Sequence, residues 1–233
     1  MRQLIVVGSS LLITGCGTSA ARPTPAPVPA TTATQPAAGS TTRHDGFIPV
    51  LLDERAGKIF IELPRDSMRA LMWTTLATGL GSNPVGLDRG ASGGEWVVRF
   101  DRVGERVLVV FENWAYRSTA GDPAHVRTVQ ESFPASTVAA LPVTGSVNGR
   151  ITVDATDFFL RDWMDVAGTL ARSRQGSYAL DRQRSSVYRP YTRAFPRNTE
   201  VDVSLTFAAA GPPGRIVETV APWGGAVTLR QHV

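Results

Sequence analysis

One cysteine and three histidines in 233 residues leave little material for metal or disulfide chemistry. A lone Cys16 cannot close an intramolecular disulfide in any redox compartment. His44, His125 and His232 stand far apart, and neither H-E-x-x-H nor C-x-x-C occurs, so no metal site and no bound cofactor are expected in this chain. A G-x-S-x-G elbow for a serine nucleophile is absent too, and no catalytic residue can be named. The apolar stretch Leu4 to Ile13 is broken by Gly8, Ser9 and Ser10 and is too short to cross a bilayer. Acidic residues are missing from the first 44 positions: all 20 lie at or beyond Asp45, whereas three of the 24 basic ones, Arg2, Arg22 and Arg43, precede it. From Asp45 onward 21 basic residues meet 20 acidic ones. A balanced domain lacks the basic footprint that nucleic acid requires, whatever the overall isoelectric point.

What the amino terminus does have is a secretory pattern. Arg2 supplies a charged start, a short apolar core follows, and Leu12-Ile13-Thr14-Gly15-Cys16 resembles a bacterial lipoprotein box, in which small residues precede a cysteine that is diacylated. The resemblance implies a signal peptide at 1–15, lipidation at Cys16 and a lipid membrane as partner. Gly17, where an Asp would signal retention, resembles the default for the outer membrane. An exported protein, lipid-anchored in the cell envelope and facing periplasm or surface, is the expectation. Residues 17–45 are mostly Pro, Thr, Ala, Ser and Gly with Val28 as the one large apolar side chain. They cannot bury enough surface to offset chain entropy and read as a tether. The organisation expected is therefore 1–15, 16–45 and a single β-rich domain over 46–233.

Within that domain the most unusual stretch runs from Leu76 to Gly94, glycine-rich with an Asn83-Pro84. Gly79, Gly81, Ser82, Asn83, Gly86, Asp88, Arg89 and Gly90 mark it as a shaped loop, and Leu80, Val85 and Leu87 need burial. Asp88 and Arg89 are adjacent and suited to an ion pair. The spacing fits neither a dinucleotide fingerprint nor a P-loop.

The rest reads as α+β, β-rich, mostly antiparallel, with two or three short helices. Phe47–Asp53 and Lys58–Leu63 form a hairpin about Glu54-Arg55-Ala56-Gly57, and Ala70–Thr78 is a strand. Trp96, Val98 and Phe100 alternate with Val97, Arg99 and Asp101, then turn into the unbroken apolar run Val107–Phe111, a central strand. Asp122-Pro123 opens a helix through Phe133. Ala135–Val143 and Arg150–Val153 are strands, and Thr156-Asp157 starts a helical stretch with Phe158, Phe159, Trp163, Val166, Ala167 and Leu170 along one face. Glu200–Ala208, Arg215–Ala221 and Ala226–Arg230 read as further strands.

Two groups of charged residues invite a chemical reading. Asp154, Asp157, Asp162 and Asp165 could act as paired carboxylates, with Asp154 and Asp157 serving a hydrolase, but helix capping explains them more cheaply. Seven arginines between Arg172 and Arg197, against Asp181 alone, make either a solvated surface or an anion-binding or docking face.

Five phrases carry a further resemblance: Leu76–Gly90, Asp101–Val107, Asn113-Trp114-Ala115-Tyr116-Arg117, Val153–Phe159 and Phe195–Val201. Together they are similar to the N-terminal domain, of unknown function, of large bacterial secreted zinc-dependent metalloproteases. In that family a catalytic domain with an extended H-E-x-x-H motif follows. The resemblance implies a non-catalytic module that packs on or regulates a protease domain, in cis or as a separate chain, with zinc held only by that domain. It also implies that this chain is a truncated product or a piece of a longer gene. The alternative is a free-standing envelope lipoprotein that holds an anionic glycan, lipid or protein partner through the glycine loop and the arginine-rich segment.

Overall fold

The computed structural model describes residues 41–119 and 121–233. Cys16, the signal peptide and most of the expected tether lie outside them.

In chain order the strands are β1 (Thr41–His44), β2 (Val50–Asp53), β3 (Lys58–Pro64), β4 (Met68–Leu76), β5 (Ser92–Val103) and β6 (Arg106–Phe111). Helix α1 (Pro123–Ser132) precedes β7 (Ser136–Val147) and β8 (Arg150–Asp154), and α2 (Thr156–Phe159) and α3 (Val166–Arg172) precede β9 (Tyr178–Val187). After a 3-10 turn at Arg189–Tyr191 come β10 (Arg193–Ala194), β11 (Thr199–Glu200), β12 (Asp202–Ala209), α4 (Arg215–Val220) and β13 (Ala226–His232). The fold is β-rich as expected, but there are four α-helices among the described residues rather than two or three.

Eleven of the strands form one sheet in the order β1-β2-β3-β8-β7-β6-β5-β4-β13-β12-β9, with every pairing between them antiparallel. The apolar run of β6 sits in the middle of that order. The short β10–β11 hairpin brings the two ends of the sheet together. Phe47 N donates to Phe195 O at 2.7 Å, Ile48 N donates to Thr199 Oγ1 at 3.0 Å, and Thr199 Oγ1 donates to Ile48 O at 2.8 Å. Arg189 pairs with Glu54 at 2.6 Å across the same junction. The sheet thus curls about one core, in which Ile59, Ile61, Val109, Val153, Val203 and Phe207 are at most 2% exposed.

Helical residues fill the interior. Phe158, Phe159, Val166 and Leu170 are buried and Trp163 packs against them, so the expected apolar face is real. It belongs to two short helices, however, and not to one. Buried Gln231 of β13 causes the break: its Oε1 accepts from Trp163 N at 2.9 Å and Met164 N at 3.2 Å, and its Nε2 donates to Arg161 O at 3.0 Å. Asp165 takes φ +50° and Asp162 caps the new helix through Val166 N and Ala167 N. Trp96, Phe111, Trp163 and Phe158 form a continuous aromatic cluster with centroid separations of 4.8 to 5.9 Å.

Two further expectations are corrected. Arg215–Val220, expected as a strand, is α4, because Gln175 Oε1 accepts from Ile216 N at 2.9 Å and so satisfies the start of a helix that carries no cap of its own. Thr41–His44, inside the stretch read as tether, is a strand. Arg43 there makes a bidentate pair with buried Glu62, at 2.5 and 2.9 Å, which gives a polar residue a reason to leave solvent.

Candidate functional site

The glycine loop joins β4 to β5 and is built as a plug. Leu80, Val85 and Leu87 are buried in the core, at 6%, 6% and 3% exposure. Gly90 N donates to Leu76 O and Leu80 N to Leu87 O, while the Asn83 amide donates to Leu80 O and Gly81 O and its Oδ1 accepts from Val85 N. Asn83 therefore staples the turn from inside. Gly79 lies where a Cβ would come within 2.4 Å of Arg89 N, so only glycine lets the returning chain cross. Gly81, Gly86 and Gly90 take φ near +80°. Ser82 and Arg89 are exposed, and Asp88 Oδ1 is buried without a hydrogen-bond partner. The expected Asp88–Arg89 ion pair is not among the salt bridges of the described residues: Asp88 Oδ1 is buried while Arg89 is exposed.

The aspartates serve the fold. Asp154 accepts from Lys58 Nζ at 2.8 Å and from Thr156; burial works against its charge, but these donors hold its carboxyl below the usual range. Asp157 pairs with Arg182 and Asp165 with Arg172. Among the described residues no group of three or more His, Cys, Asp or Glu is placed to hold a metal. Most of the arginine-rich segment is engaged as well: Arg184 pairs with Asp181, Arg189 with Glu54, and Arg193 donates to the carbonyls of Arg189 and Thr192.

Polar side chains and space coincide elsewhere, on the outer face of β4, β5 and β6. Strand alternation puts Arg69, Leu71 and Trp73 outward from β4, and register sets Arg69 opposite Arg99 of β5. Like charges directly across a pair of strands repel. Glu112, just after β6, relieves them: both its oxygens accept from Arg69 Nε at 2.9 to 3.0 Å, Oε1 accepts from Arg99 Nη1 at 2.7 Å, and Oε2 accepts from Trp114 Nε1 at 2.9 Å. The hydrogen bond from Arg69, then those from Trp114 and Arg99, outweigh burial and hold the Glu112 carboxyl down to about 2. Helix α1 forms the opposite wall. Asp122 caps it as expected, accepting from Ala124 N at 2.9 Å, with Pro123 in the first turn. Its Val126 and Val129, with Phe133 just beyond, face a cavity of about 500 Å³. Tyr116 stacks on Phe133 with centroids 3.8 Å apart and planes 3° off parallel, and Arg117 lies 5.7 Å over the Trp114 ring.

The phrase Asn113–Arg117 was visible in the sequence, but Arg69, Arg99 and Glu112 were not singled out. The signal that could have found them is the outward Arg in each of two strands opposite a Glu that ends a third. The glycine loop lines none of this cavity.

Residues 90–233 match a family described as a domain of unknown function (DUF5117), and the chain belongs to that family. No curated protein and no solved structure matches the chain.

Proposed function

We propose that this chain is a non-catalytic docking module: the N-terminal part of a zinc-dependent metalloprotease, which packs on or regulates a protease domain that supplies the zinc ligands itself. The observation that carries the docking role is apolar exposure on a sheet face. Leu71 is 73% exposed and Trp73 48%, side by side on the outside of β4, with Trp114, also 48%, beside the adjoining strands. Contiguous exposed apolar side chains of this size mark interaction surfaces. The protease identity of the partner rests on the resemblance carried by the five phrases from Leu76 onward, and lipidation of Cys16, export and an envelope location rest on the likeness of Leu12–Cys16 to a lipoprotein box.

The test begins with the DNA beside this gene. An open reading frame with H-E-x-x-H, in frame or adjacent, supplies a partner to purify, and Leu71→Ser with Trp73→Ser should abolish its association with the full chain. Stoichiometric zinc binding and casein cleavage by this chain alone would overturn the reading.

One observation favours the second reading, an envelope lipoprotein that holds an anionic partner. The cavity under α1 is lined by Arg69, Arg99 and Arg117 and by the carboxylate of Glu112, with Asp101 paired to Arg99 beside it, so one guanidinium is in excess. The anionic partner would then sit there, and not on the glycine loop or the arginine-rich segment.

A further inference from the structure

A guanidinium has five N–H donors in a fixed fork. Arg69 commits its Nε to Glu112, and Arg99 commits Nη1 to Glu112 and Nε to Asp101 at 2.8 to 3.0 Å. The carboxylates therefore fix both arms in place while donors remain for something else in the cavity they line. Such a pair is organised before a ligand arrives, so little side-chain freedom is lost on binding.

The other walls favour a ring. Trp114 is anchored through its N–H to Glu112, with Arg117 over one side of its ring, and Tyr116 through its stack on Phe133, yet the two residues are 48% and 53% exposed. Held aromatic faces open to solvent suit the C–H face of a sugar, which needs an apolar platform with polar groups around its rim. Gln130 lines the same cavity with an amide that can both donate and accept, as hydroxyl groups require, whereas the Asn113 amide is spent on Pro134 O and Ala115 N and shapes the wall. Its volume of about 500 Å³ lies within the range of small-ligand sites, roughly 300 to 1,000 Å³.

We propose that this cavity binds an acidic saccharide, with the sugar carboxylate on the forks of Arg69 and Arg99 and a ring face on Trp114 or Tyr116. The proposal rests on the second reading above, that the domain holds an anionic partner, and names both the site and the ligand class. A bare anion would leave the aromatic walls unused, and a flat membrane surface would not reach beneath α1.

Calorimetric titration of the full chain tests it with four probes: oligogalacturonate, its methyl ester, inorganic phosphate and phosphatidylglycerol vesicles. The expected result is saturable binding of oligogalacturonate that esterification removes. Arg69→Ala should weaken it about tenfold or more, the size of one charge-assisted hydrogen bond. Arg69→Lys should restore only part of it, since the charge returns without the fork. Trp114→Ala should weaken it separately. Equal binding of the ester, or unchanged binding by Arg69→Ala, overturns the proposal. If phosphate or vesicles bind and the saccharide does not, the saccharide assignment fails while the anionic-partner reading stands; if none of the four binds, both fall.

Discussion

Glu112→Gln removes one charge and almost no volume, and the structure says what that should cost. In the wild type the carboxylate lies between Arg69 and Arg99, which face each other across β4 and β5. Its carboxyl falls from an ordinary 4.5 to about 2, and the lower value in the folded state means the ionised form is the one the fold favours. At 1.36 kcal/mol per unit the ceiling is about 3 kcal/mol. Arg69 is 60% exposed, so solvent and salt screen that arm and about 1 to 2 kcal/mol is the expected loss at pH 7. The sign follows from the depressed value. The contribution is complete above pH 4.5, falls as pH drops and is nearly gone at pH 2, so the gap between wild type and variant should close over that window. Urea unfolding of both proteins at pH 7, 4 and 2.5 measures it. A gap that is absent at pH 7, or that persists unchanged at pH 2.5, would refute the role assigned to Glu112.

His232 makes the opposite titration. Its imidazole Nδ1 lies 2.5 Å from buried Asp202 Oδ1, which raises its value above 6.5, so the stabilisation is present below pH 6.5 and lost as pH climbs through the folded-state value. His232→Gln should therefore destabilise more at pH 6 than at pH 9 in parallel urea melts, and an equal loss at both would contradict the pairing. Gly79→Ala forces a Cβ within 2.4 Å of the Arg89 amide and should cost about 2 to 4 kcal/mol, whereas Gly81→Ala, at φ +81° in open space, should cost about 1; thermal melts that reverse this order would dismiss the loop as a plug. Arg43→Ala strips buried Glu62 of its bidentate partner; with Arg43 41% exposed and Arg150 still 3.9 Å from the carboxylate, the loss should be about 1 to 2 kcal/mol, and no loss would return Thr41–His44 to the tether.

Where the determinants are local, the sequence was readable. The alternation through Trp96, Val98 and Phe100 and the run Val107–Phe111 became β5 and β6, because side-chain period and hairpin turn are both set within a dozen residues. Asp122-Pro123 opened a helix because cap and first turn are neighbours in the chain. Readability ended where a partner comes from far away. Ile216, Val217 and Val220 are β-branched and suit a strand, yet Gln175, some forty positions earlier, satisfies the first N–H groups of a helix. Gln231 breaks the helix after Phe159 from about seventy positions later, and Glu62 recruits Arg43 across two strands. No short window contains both members of any of those pairs.

The same reasoning separates the two candidate sites. Glycines advertise a loop in any sequence, so Gly79–Gly90 drew a functional reading, but its apolar residues face inward and its hydrogen bonds close on themselves. Arg69, Arg99 and Glu112 are ordinary charges on three segments, and only strand register makes them a cluster. Helix α1 completes the contrast. It buries no residue, so the core does not account for its order. Its apolar residues Val126 and Val129 instead face the cavity, next to the Tyr116–Phe133 stack. Most helical stability comes from packing an apolar face, and this face packs against a space. An occupant bound there as proposed would share with α1 what it gains from Arg69, Trp114 and Tyr116, and its binding would then stabilise that helix.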